Sequence, residues 1–470
     1  MFKKIIIINI LLALSVTSVM ADDIGNKIEE AEYPASDKVL PVKNESSDYI
    51  ISGSVQKDID LTLENCIELA LGNNPEINAA FQDILTTDSR VKQVWSNYFP
   101  RISWETGYTR LRQLQLSDAL GENLTFNYFL LGEITLQQMI YDFGVTQNQA
   151  TIKKLDYEGA KVSLTAVIND VIYKTKDAYF GLLYAYESRR VAQDTVDKFQ
   201  LFYDQAKAFY EIGMNPKVDV TIAESNLSNA KLKLIQADNN VNLAIAKLNN
   251  IMGVPFISKY SVTDKLQYEP LNITFEEAVN IAREARPELK LAEIKVEEAR
   301  QTIKLVKKSY FPTLSVEGQF QRGGKSWNSN YGYNFGGYLT FPTVNGMLIR
   351  NEIKEAKYLY DKELANAETT QNQIYLEIQN AYLKLEEKKN QMPVALLQVK
   401  QAKENYELSY GRYRVGEATP TELKDSQVMY DNAQLTYYAS LYEYNSAKAA
   451  LEKSVGKNII TDEEIIELDK

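Results

Sequence analysis

Carboxylates are the side chains of this chain that could carry chemistry, because the usual groups for nucleophilic catalysis are missing. The 470 residues contain no histidine and a single cysteine, Cys66. Histidine-dependent triads and histidine-ligated zinc are therefore excluded, and we expect no enzymatic activity, no cofactor and no metal site. Cys66 occupies a helical position, where we expect a small buried apolar residue. The net charge of −11 argues against nucleic acid as a partner.

The carboxylates occur in two settings. Three of them alternate with apolar residues in strand-like segments: Glu105, Glu133 and Glu317. Three others follow glycine- and proline-containing turns: Asp219 after Gly213 and Pro216, and Glu422 and Asp425 after Gly416 and Pro420. Glycine suits the end of a helix and proline the start of the next, so each turn should reverse a long helix. Acids at such a position also complement the helix dipole, and this simpler explanation stays open.

The elements that must position these residues are present twice. Residues 61–108 align without a gap with 273–320, and a second register, offset by 203 residues, places Gly213 on Gly416. A repeated unit that cannot bury its own apolar face stacks on its copies. The sequence therefore predicts a tandem repeat in which each unit runs helix, hairpin, long helix, turn and long helix.

Strand-like alternation marks the hairpins. One apolar face is predicted in residues 124–138, made of Leu124, Phe126, Tyr128, Leu130, Ile134 and Leu136. Half-buried hairpins on a soluble core would explain the pattern, but we favour a lipid-facing wall whose three glutamates point into a barrel lumen. Four strands cannot close a barrel, and an open edge in lipid leaves backbone groups unpaired, so several copies must share one barrel. The tip loop 111–123 is expected to be longer than its counterpart 322–330.

Long helices fill most of the rest. From about residue 144 to 212 the helical pattern covers about 100 Å at 1.5 Å per residue. The helix that follows the first turn carries a heptad seam, which predicts extended coiled-coil packing. Its residues are Leu227, Ala230, Leu234, Ala237, Val241, Ala244, Leu248 and Ile251.

The organisation follows from these patterns. Residues 1–21 are typical of a secretory signal peptide, and residues 22–58 of an acidic flexible segment. The first structural repeat is predicted over 59–272, with its hairpin at about 101–140. The second is predicted over 273–457, with its hairpin at about 313–342, and 458–470 form a tail. No segment after the signal peptide is apolar enough for a transmembrane helix.

Four pairs of motifs recur in the two repeats. The duplicated opening matches LTLENCIELALGNNPEI with ITFEEAVNIAREARPEL, and the sequences NYFP and SYFP precede each first strand. Segments 140–144 (IYDFG) and 341–346 (FPTVNG) lead into the long helices, and the turns are 210–219 (YEIGMNPKVD) and 413–422 (YRVGEATPTE). In this order, the motifs resemble those of the TolC family of outer-membrane efflux proteins, and the resemblance covers about residues 59–457.

The resemblance implies a mainly α fold with a membrane β-barrel part. Each protomer of a homotrimer would give four strands to a shared 12-stranded barrel in outer-membrane lipid, continued by a periplasmic α-helical coiled-coil barrel. The implied function is the exit duct of a tripartite efflux or type I secretion system. A periplasmic adaptor and an inner-membrane efflux pump or ABC transporter would open this passive channel at its periplasmic tip.

The resemblance also assigns site residues. The periplasmic gate would contain Glu422 and Asp425, their first-repeat counterpart Asp219, and the tip tyrosine Tyr413. Rings of such carboxylates disfavour anions and can hold a cation. Adaptor docking would fall on the tip turns, at Gly213, Pro216, Gly416 and Pro420. Some relatives lock the closed entrance with a basic residue where this chain has Ala418, so we expect a more loosely held entrance that rests on packing.

The alternative is an exported periplasmic coiled-coil adaptor or structural protein. Such adaptors also carry long helical hairpins, but they need small β domains beside them. In this chain the β segments alternate apolar and polar residues, as the strands of a lipid-facing barrel do, and they recur in both repeats. Both features favour the duct.

Overall fold

The computed structural model describes residues 62–117, 123–214, 216–254, 264–324, 330–342, 346–415 and 417–456. The predicted signal peptide, the acidic segment and the tail lie outside these ranges. The first repeat contains α1 (Leu63–Asn73), α2 (Pro75–Trp95), β1 (Arg101–Ser117), β2 (Asn123–Tyr141), α3 (Val145–Glu211) and α4 (Lys217–Met252). The second contains α5 (Phe275–Ala285), α6 (Pro287–Lys308), β3 (Thr313–Gly324), β4 (Asn330–Thr340), α7 (Gly346–Arg414) and α8 (Pro420–Val455).

Each repeat opens with two short helices separated by a break at a proline. Thr62 and Thr274 cap α1 and α5 through their side chains, as serine and threonine do at helix starts. Pro75 and Pro287 then occupy the first position of α2 and α6, where a missing backbone N–H costs nothing. The duplicated opening of the sequence therefore folds the same way twice.

The helical part is built on two long hairpins. Helix α3 has 67 residues and α7 has 69, while α4 and α8 have 36 each. At 1.5 Å per residue the longer helices extend about 100 Å. Helix α3 packs against α4 and α8, and α7 packs against α8. The predicted seam lies in this packing, since five of its residues are buried: Leu227, Ala230, Ala237, Val241 and Leu248. No helix within the described ranges combines the length and apolar character of a membrane span.

The four strands form one antiparallel sheet in the order β1-β2-β3-β4. Strands β2 and β3 pair with each other, so the two repeats are joined edge to edge. Among the described residues, no strand pairs with the outer edge of β1 or of β4. Much of the predicted first tip loop is strand, because Leu111 and Arg112 pair with Phe126 and Thr125. The first hairpin is therefore longer than the second chiefly because its strands are longer, with 17 and 19 residues against 12 and 11.

A β-bulge interrupts β2 at its middle. Glu105 pairs with Glu133, but the next pair on β1 is Gly107 with Leu130, so two steps on β1 match three on β2. The pairing of β2 with β3 shifts at the same place, between Leu130 and Gly132. An extra residue of this kind reverses the alternation of side chains along the bulged strand.

The bulge makes part of the predicted apolar face wrong. Ile134 and Leu136 do lie on the exposed apolar face, where they pair across the strands with Trp104 and Ile102. Tyr128 instead shares the polar face, since a Cβ on Gly323 would lie 2.7 Å from the Tyr128 Oη. The simple period-two pattern could not register one inserted residue.

Candidate functional site at the helical turns

The first turn joins α3 to α4 through a left-handed glycine. Gly213 has φ +77°, and the Met214 N–H donates to the Phe209 carbonyl oxygen at 2.8 Å. These are the features of a helix that ends on glycine. Pro216 is the N-cap of α4, so Asp219 is the third residue of that helix.

The second turn repeats this hydrogen bond with a different helix start. The Glu417 N–H donates to the Arg412 carbonyl oxygen at 2.9 Å, while Gly416 itself lies outside the described residues. Thr419 is the N-cap and accepts a hydrogen bond from the Glu422 N–H at 3.2 Å. Pro420 is the first residue of α8, so Glu422 is the third, equivalent to Asp219.

An apolar cluster, here called the tip cluster, ties both hairpins together beside the turns. It consists of Val196, Phe199, Phe202, Leu227, Ala230, Tyr413 and Leu423, and Ala418 packs against it. Asp219 lines the same cleft as Tyr413. Burial, and then the nearby Asp219 carboxylate, raise the pKa of Tyr413. The structure therefore brings two of the predicted gate residues together.

The two predicted gate acids of α8 have different surroundings. The Glu422 Oε1 atom accepts a hydrogen bond from Arg412 Nη1 at 2.6 Å. Asp425 is 67% exposed, and the nearest cation to it is the adjacent Lys424, whose Nζ lies 3.8 Å from Oδ1. One carboxylate is thus paired across the turn, and the other projects into solvent.

A buried polar layer follows about two turns along α8 from Glu422. Asp431 accepts hydrogen bonds from Thr195 Oγ1 at 2.9 Å and from Gln427 Nε2 at 2.6 Å. Burial raises the pKa of Asp431 despite these bonds. The ammonium of Lys198 lies 4.9 Å and 5.0 Å from the ring centroids of Tyr406 and Tyr430, and burial lowers its pKa.

Sequence reasoning missed this layer. Lys198 of α3 and Asp431 of α8 are more than two hundred residues apart, so no local spacing connects them. The one available signal was a charged residue on an otherwise apolar helical face, and that pattern is too common to single them out.

The three strand glutamates lie on one face of the sheet. Glu105 and Glu133 are direct cross-strand neighbours. Glu133 Oε1 accepts a hydrogen bond from Gln319 at 2.5 Å, and Glu317 Oε1 accepts one from Gln137 at 2.9 Å. Asn334 of β4 extends the row by donating to Gln319 at 3.1 Å. This face is a ladder of amides and carboxylates, whereas the opposite face is apolar.

Aromatic side chains collect where strands meet helices. Phe143 stacks on Phe311 with ring centroids 5.3 Å apart, and Tyr141 contacts Phe143 edge-on at 4.8 Å. Several are exposed in the single chain: Trp95, Phe99, Tyr141, Phe143, Tyr310 and Phe311. The junction between β2 and α3 is fixed by the buried Asp142, which accepts hydrogen bonds from the backbone N–H groups of Gly144 and Thr146 at 2.9 Å and 2.6 Å.

Comparisons with known proteins agree with this architecture. Outer membrane protein TolC of Escherichia coli (strain K12) is 20% identical over 411 residues, which cover 82% of this chain and 80% of that protein. The probable efflux pump outer membrane protein TtgC of Pseudomonas putida is 20% identical over 444 residues, covering 91% and 89%.

Solved structures share the fold. The CmeC outer membrane channel of Campylobacter jejuni superposes with a TM-score of 0.72 at 17% identity, covering 94% of this chain and 97% of that one. The open state of the MtrE outer membrane channel of Neisseria gonorrhoeae gives 0.68 at 17% identity, covering 86% and 95%. The predicted fold class is confirmed: a mainly α chain with a strand contribution and an internal repeat.

The model of the outer membrane efflux protein family matches residues 66–254 and again 278–457, one match to each repeat. The resemblance inferred from the motifs, the outer-membrane location and the function as an efflux or secretion channel are confirmed. The chain belongs to the outer membrane efflux protein family.

Proposed function

We propose that three copies of this chain form a passive exit duct that is closed at its helical turns in the resting state. Each protomer contributes four strands to a 12-stranded barrel in the outer membrane, and the long helices continue the barrel into the periplasm. A periplasmic adaptor docks on the turns at Gly213, Pro216, Gly416 and Pro420. An inner-membrane efflux pump or ABC transporter supplies the energy.

The observation that carries the proposal is the four-stranded sheet with two unpaired edges and two unlike faces. Its apolar face exposes Ile102, Trp104 and Phe335 in the single chain, and its other face carries the glutamate ladder. Unpaired backbone groups cannot remain in lipid, so β1 of one copy must pair with β4 of the next. The glutamates Glu105, Glu133 and Glu317 then line the lumen.

Two further features support a shared assembly. The aromatic residues at the strand–helix junction suit the membrane–water interface, where rings with polar tips are favoured. Leucines at multiples of seven residues are exposed along α7 (Leu376, Leu383 and Leu397), and so are Leu232 and Ile235 on α4. These residues have the spacing of a coiled-coil seam that a helix of a neighbouring protomer would cover.

The gate is formed in this proposal by Asp219, Tyr413, Glu422 and Asp425. Three copies of each carboxylate would converge at the narrow end of the duct, where a ring of negative charge disfavours anions and attracts cations. Apolar packing in the tip cluster holds the turns together when no adaptor is bound.

Single-channel recording in a planar lipid bilayer tests the duct and its gate. We expect the purified mature protein to give small, stable unitary currents, and block by Mg²⁺ that Asp425→Asn weakens about tenfold, since a tenfold change corresponds to about 1.4 kcal/mol. Glu404→Gln is the control, since it removes an exposed carboxylate of α7 that precedes the turn by about three helical turns. A heat-sensitive trimer that carries no current would contradict the gate, and a folded protein that never enters the bilayer would favour the coiled-coil adaptor.

Ala418 offers a second test of the gate. An arginine placed there would introduce a cation beside the tip cluster and the Asp219 carboxylate. We expect Ala418→Arg to reduce the resting current, because the new charge would hold neighbouring turns together. An unchanged current would contradict the idea that the entrance of this protein rests on packing alone.

A further inference from the structure

The second turn carries an ionic contact that has no counterpart among the described residues of the first turn. Arg412, in the last turn of α7, donates from Nη1 to Glu422 Oε1 at 2.6 Å and from Nη2 to the Glu417 carbonyl oxygen at 3.3 Å. One guanidinium therefore spans the turn and holds both its backbone and the third residue of the next helix. A planar guanidinium fork is suited to such a double contact.

The first repeat shows that the turn itself does not require this contact. The equivalent of Arg412 is Phe209, and its carbonyl oxygen accepts the same backbone hydrogen bond. Asp219, the equivalent of Glu422, lines the cleft beside Tyr413 and makes no ion pair within the described residues. Arg412 is thus an addition that the second repeat makes to a turn that closes without it.

Arg412 also diverts Glu422 from the role that its position favours. Glu277 occupies the same third position after a threonine cap, and its carboxylate accepts a hydrogen bond from the Thr274 N–H at 2.8 Å. That arrangement is the capping box expected for threonine followed three residues later by glutamate. Glu422 receives half of this arrangement from Thr419, but its carboxylate turns to Arg412 instead.

We infer that Arg412 sets the charge of the channel entrance by neutralising Glu422 within each protomer. The inference rests on the proposed function, because it concerns the gate. Of the two predicted gate carboxylates on α8, Glu422 is neutralised by a guanidinium at 2.6 Å, while the nearest cation to Asp425 among the described residues is Lys424 at 3.8 Å. In a trimer the active ring of α8 is made by Asp425, in addition to the ring of Asp219 from α4. Glu422 is held as a latent ring that becomes active when Arg412 is removed or drawn away.

The consequence for ions is specific. Freeing three additional carboxylates near a narrow entrance strengthens the attraction of a multivalent cation, since charges within several ångströms interact by kilocalories near a protein surface. While the Glu422 carboxylates are neutralised, the gate passes monovalent cations with weak multivalent block. Once they are freed, the gate is blocked at much lower concentrations of a multivalent cation.

Bilayer recordings with added Mg²⁺ test this inference. We expect Arg412→Gln to lower the half-blocking concentration about tenfold and to shift the reversal potential in a KCl gradient toward stronger cation preference. The double variant Arg412→Gln with Glu422→Gln should return close to the unmodified channel, because both charges of the pair are gone. The matched control is Arg414→Gln, which removes an exposed arginine two residues further along.

Two results would overturn the inference. One is a half-blocking concentration for Arg412→Gln equal to that of the Arg414→Gln control. The other is a loss of block in Glu422→Gln as large as in Asp425→Asn, which would mean that Glu422 is already active. Either result leaves the duct itself intact, whereas failure of the proposed function would appear as an absence of current in every variant.

A measurement without any channel tests the pairing. The temperatures of thermal unfolding of Arg412→Gln, Glu422→Gln and the double variant form a double-mutant cycle. We expect the two single decreases not to add, since either change alone breaks the same contact. Additive decreases would contradict the contact whether or not the protein conducts.

Discussion

The two repeats dock the end of their second long helix by the same backbone geometry with different side chains. In the first repeat, Asn74 Nδ2 donates to the Ile251 carbonyl oxygen at 2.7 Å, which fastens α4 to the break between α1 and α2. In the second, Arg286 Nη1 donates to the Lys453 carbonyl oxygen at 2.8 Å, which fastens α8 to the break between α5 and α6.

The shared element is a left-handed glycine. Gly253 ends α4 with φ +67°, and Gly456 ends α8 with φ +76°. A Cβ at Gly253 would lie 2.4 Å from the Asn73 carbonyl oxygen, and one at Gly456 would lie 2.9 Å from that of Ala285. The comparison teaches that close backbone approach is what the docking demands, while an amide or a guanidinium can complete it.

The largest loss of stability is expected from Gly253→Ala, which disturbs the docking of the first repeat alone. Left-handed strain and overpacking against a backbone together cost about 3 kcal/mol of the free energy of unfolding. Gly456→Ala should cost less, about 2 kcal/mol, because its contacts are longer. Thermal unfolding followed by circular dichroism checks both changes.

Gly213→Ala is the matched control for those two variants. Its φ of +77° is similar, but no atom of the described ranges lies within 4 Å of the added Cβ, so only the strain of about 1 kcal/mol applies. Equal losses at Gly213 and Gly253 would mean that backbone strain, and not the docked contact, accounts for the requirement for glycine.

Much of the fold could be predicted because the chain contains its own comparison. Matching prolines and glycines in the two repeats mark helix breaks and turns, and the seam starting at Leu227 predicts the buried face of α4. Cys66 is buried as expected. These features depend on local propensity and on periodicity, both of which can be read along a single chain.

The rest depends on events that local patterns do not encode. The bulge beside Gly132 reverses the faces of Tyr128 and Leu130, and one inserted residue leaves no periodic trace. The contact of Arg412 with Glu422 requires knowing how the turn closes. The predicted roles of Asp219, Glu422 and Asp425 in the gate stay predictions, because they concern the meeting of three chains.

The second-largest expected loss of stability distinguishes the docking contact made by Arg286 from the one made by Asn74. Arg286 is buried and pairs with Glu288 at 2.9 Å and Glu377 at 2.5 Å. Removing it takes away one of two hydrogen bonds to the Lys453 carbonyl oxygen, which also accepts one from the Gly456 N–H at 3.0 Å. It also breaks both ion pairs and creates a cavity, so Arg286→Ala should cost about 2–3 kcal/mol of the free energy of unfolding. Asn74→Ala loses a helix cap and one hydrogen bond and should cost about 1–2 kcal/mol.

The exposed Arg283 on α5 is the control for Arg286. Arg283→Ala should change the free energy of unfolding by less than about 0.5 kcal/mol. If Arg286→Ala were no worse than Asn74→Ala, the additional ion pairs of the second repeat would contribute nothing to docking.

Two aspartates should give the stability of the protein opposite responses to pH. Burial raises the pKa of Asp431, with Lys198 and Lys233 opposing it, so its contribution to stability is present at acid pH and is lost as pH rises through the raised pKa. For Asp142, burial alone would raise the pKa, but hydrogen bonds from Thr146 and Gly144 outweigh burial and lower the pKa. Its contribution is present at neutral pH and is lost as pH falls through the lowered pKa.

Thermal unfolding between pH 4 and pH 7 checks these signs. Asp431→Asn should raise the unfolding temperature at pH 7 relative to the unmodified protein, and the difference should shrink toward pH 4. Asp142→Asn should lower it at pH 7, again with a shrinking difference at low pH. An Asp431→Asn variant that is less stable at pH 7 than at pH 4, by the same margin as the unmodified protein, would contradict the role of the buried carboxylate.

The smallest expected effect tests whether the cores beside the two docking sites are interchangeable. Cys66 in α1 corresponds to Ala278 in α5, and both are fully buried. Cys66→Ala should therefore cost only about 1 kcal/mol, the value of the lost sulfur contacts. Burial, and then the charges of Asp264 and Glu64, raise the pKa of the Cys66 thiol to about 12, so a maleimide at pH 8 should label it only after unfolding. Rapid labelling of the folded protein would contradict this expectation and show that the core around Cys66 opens in the folded state.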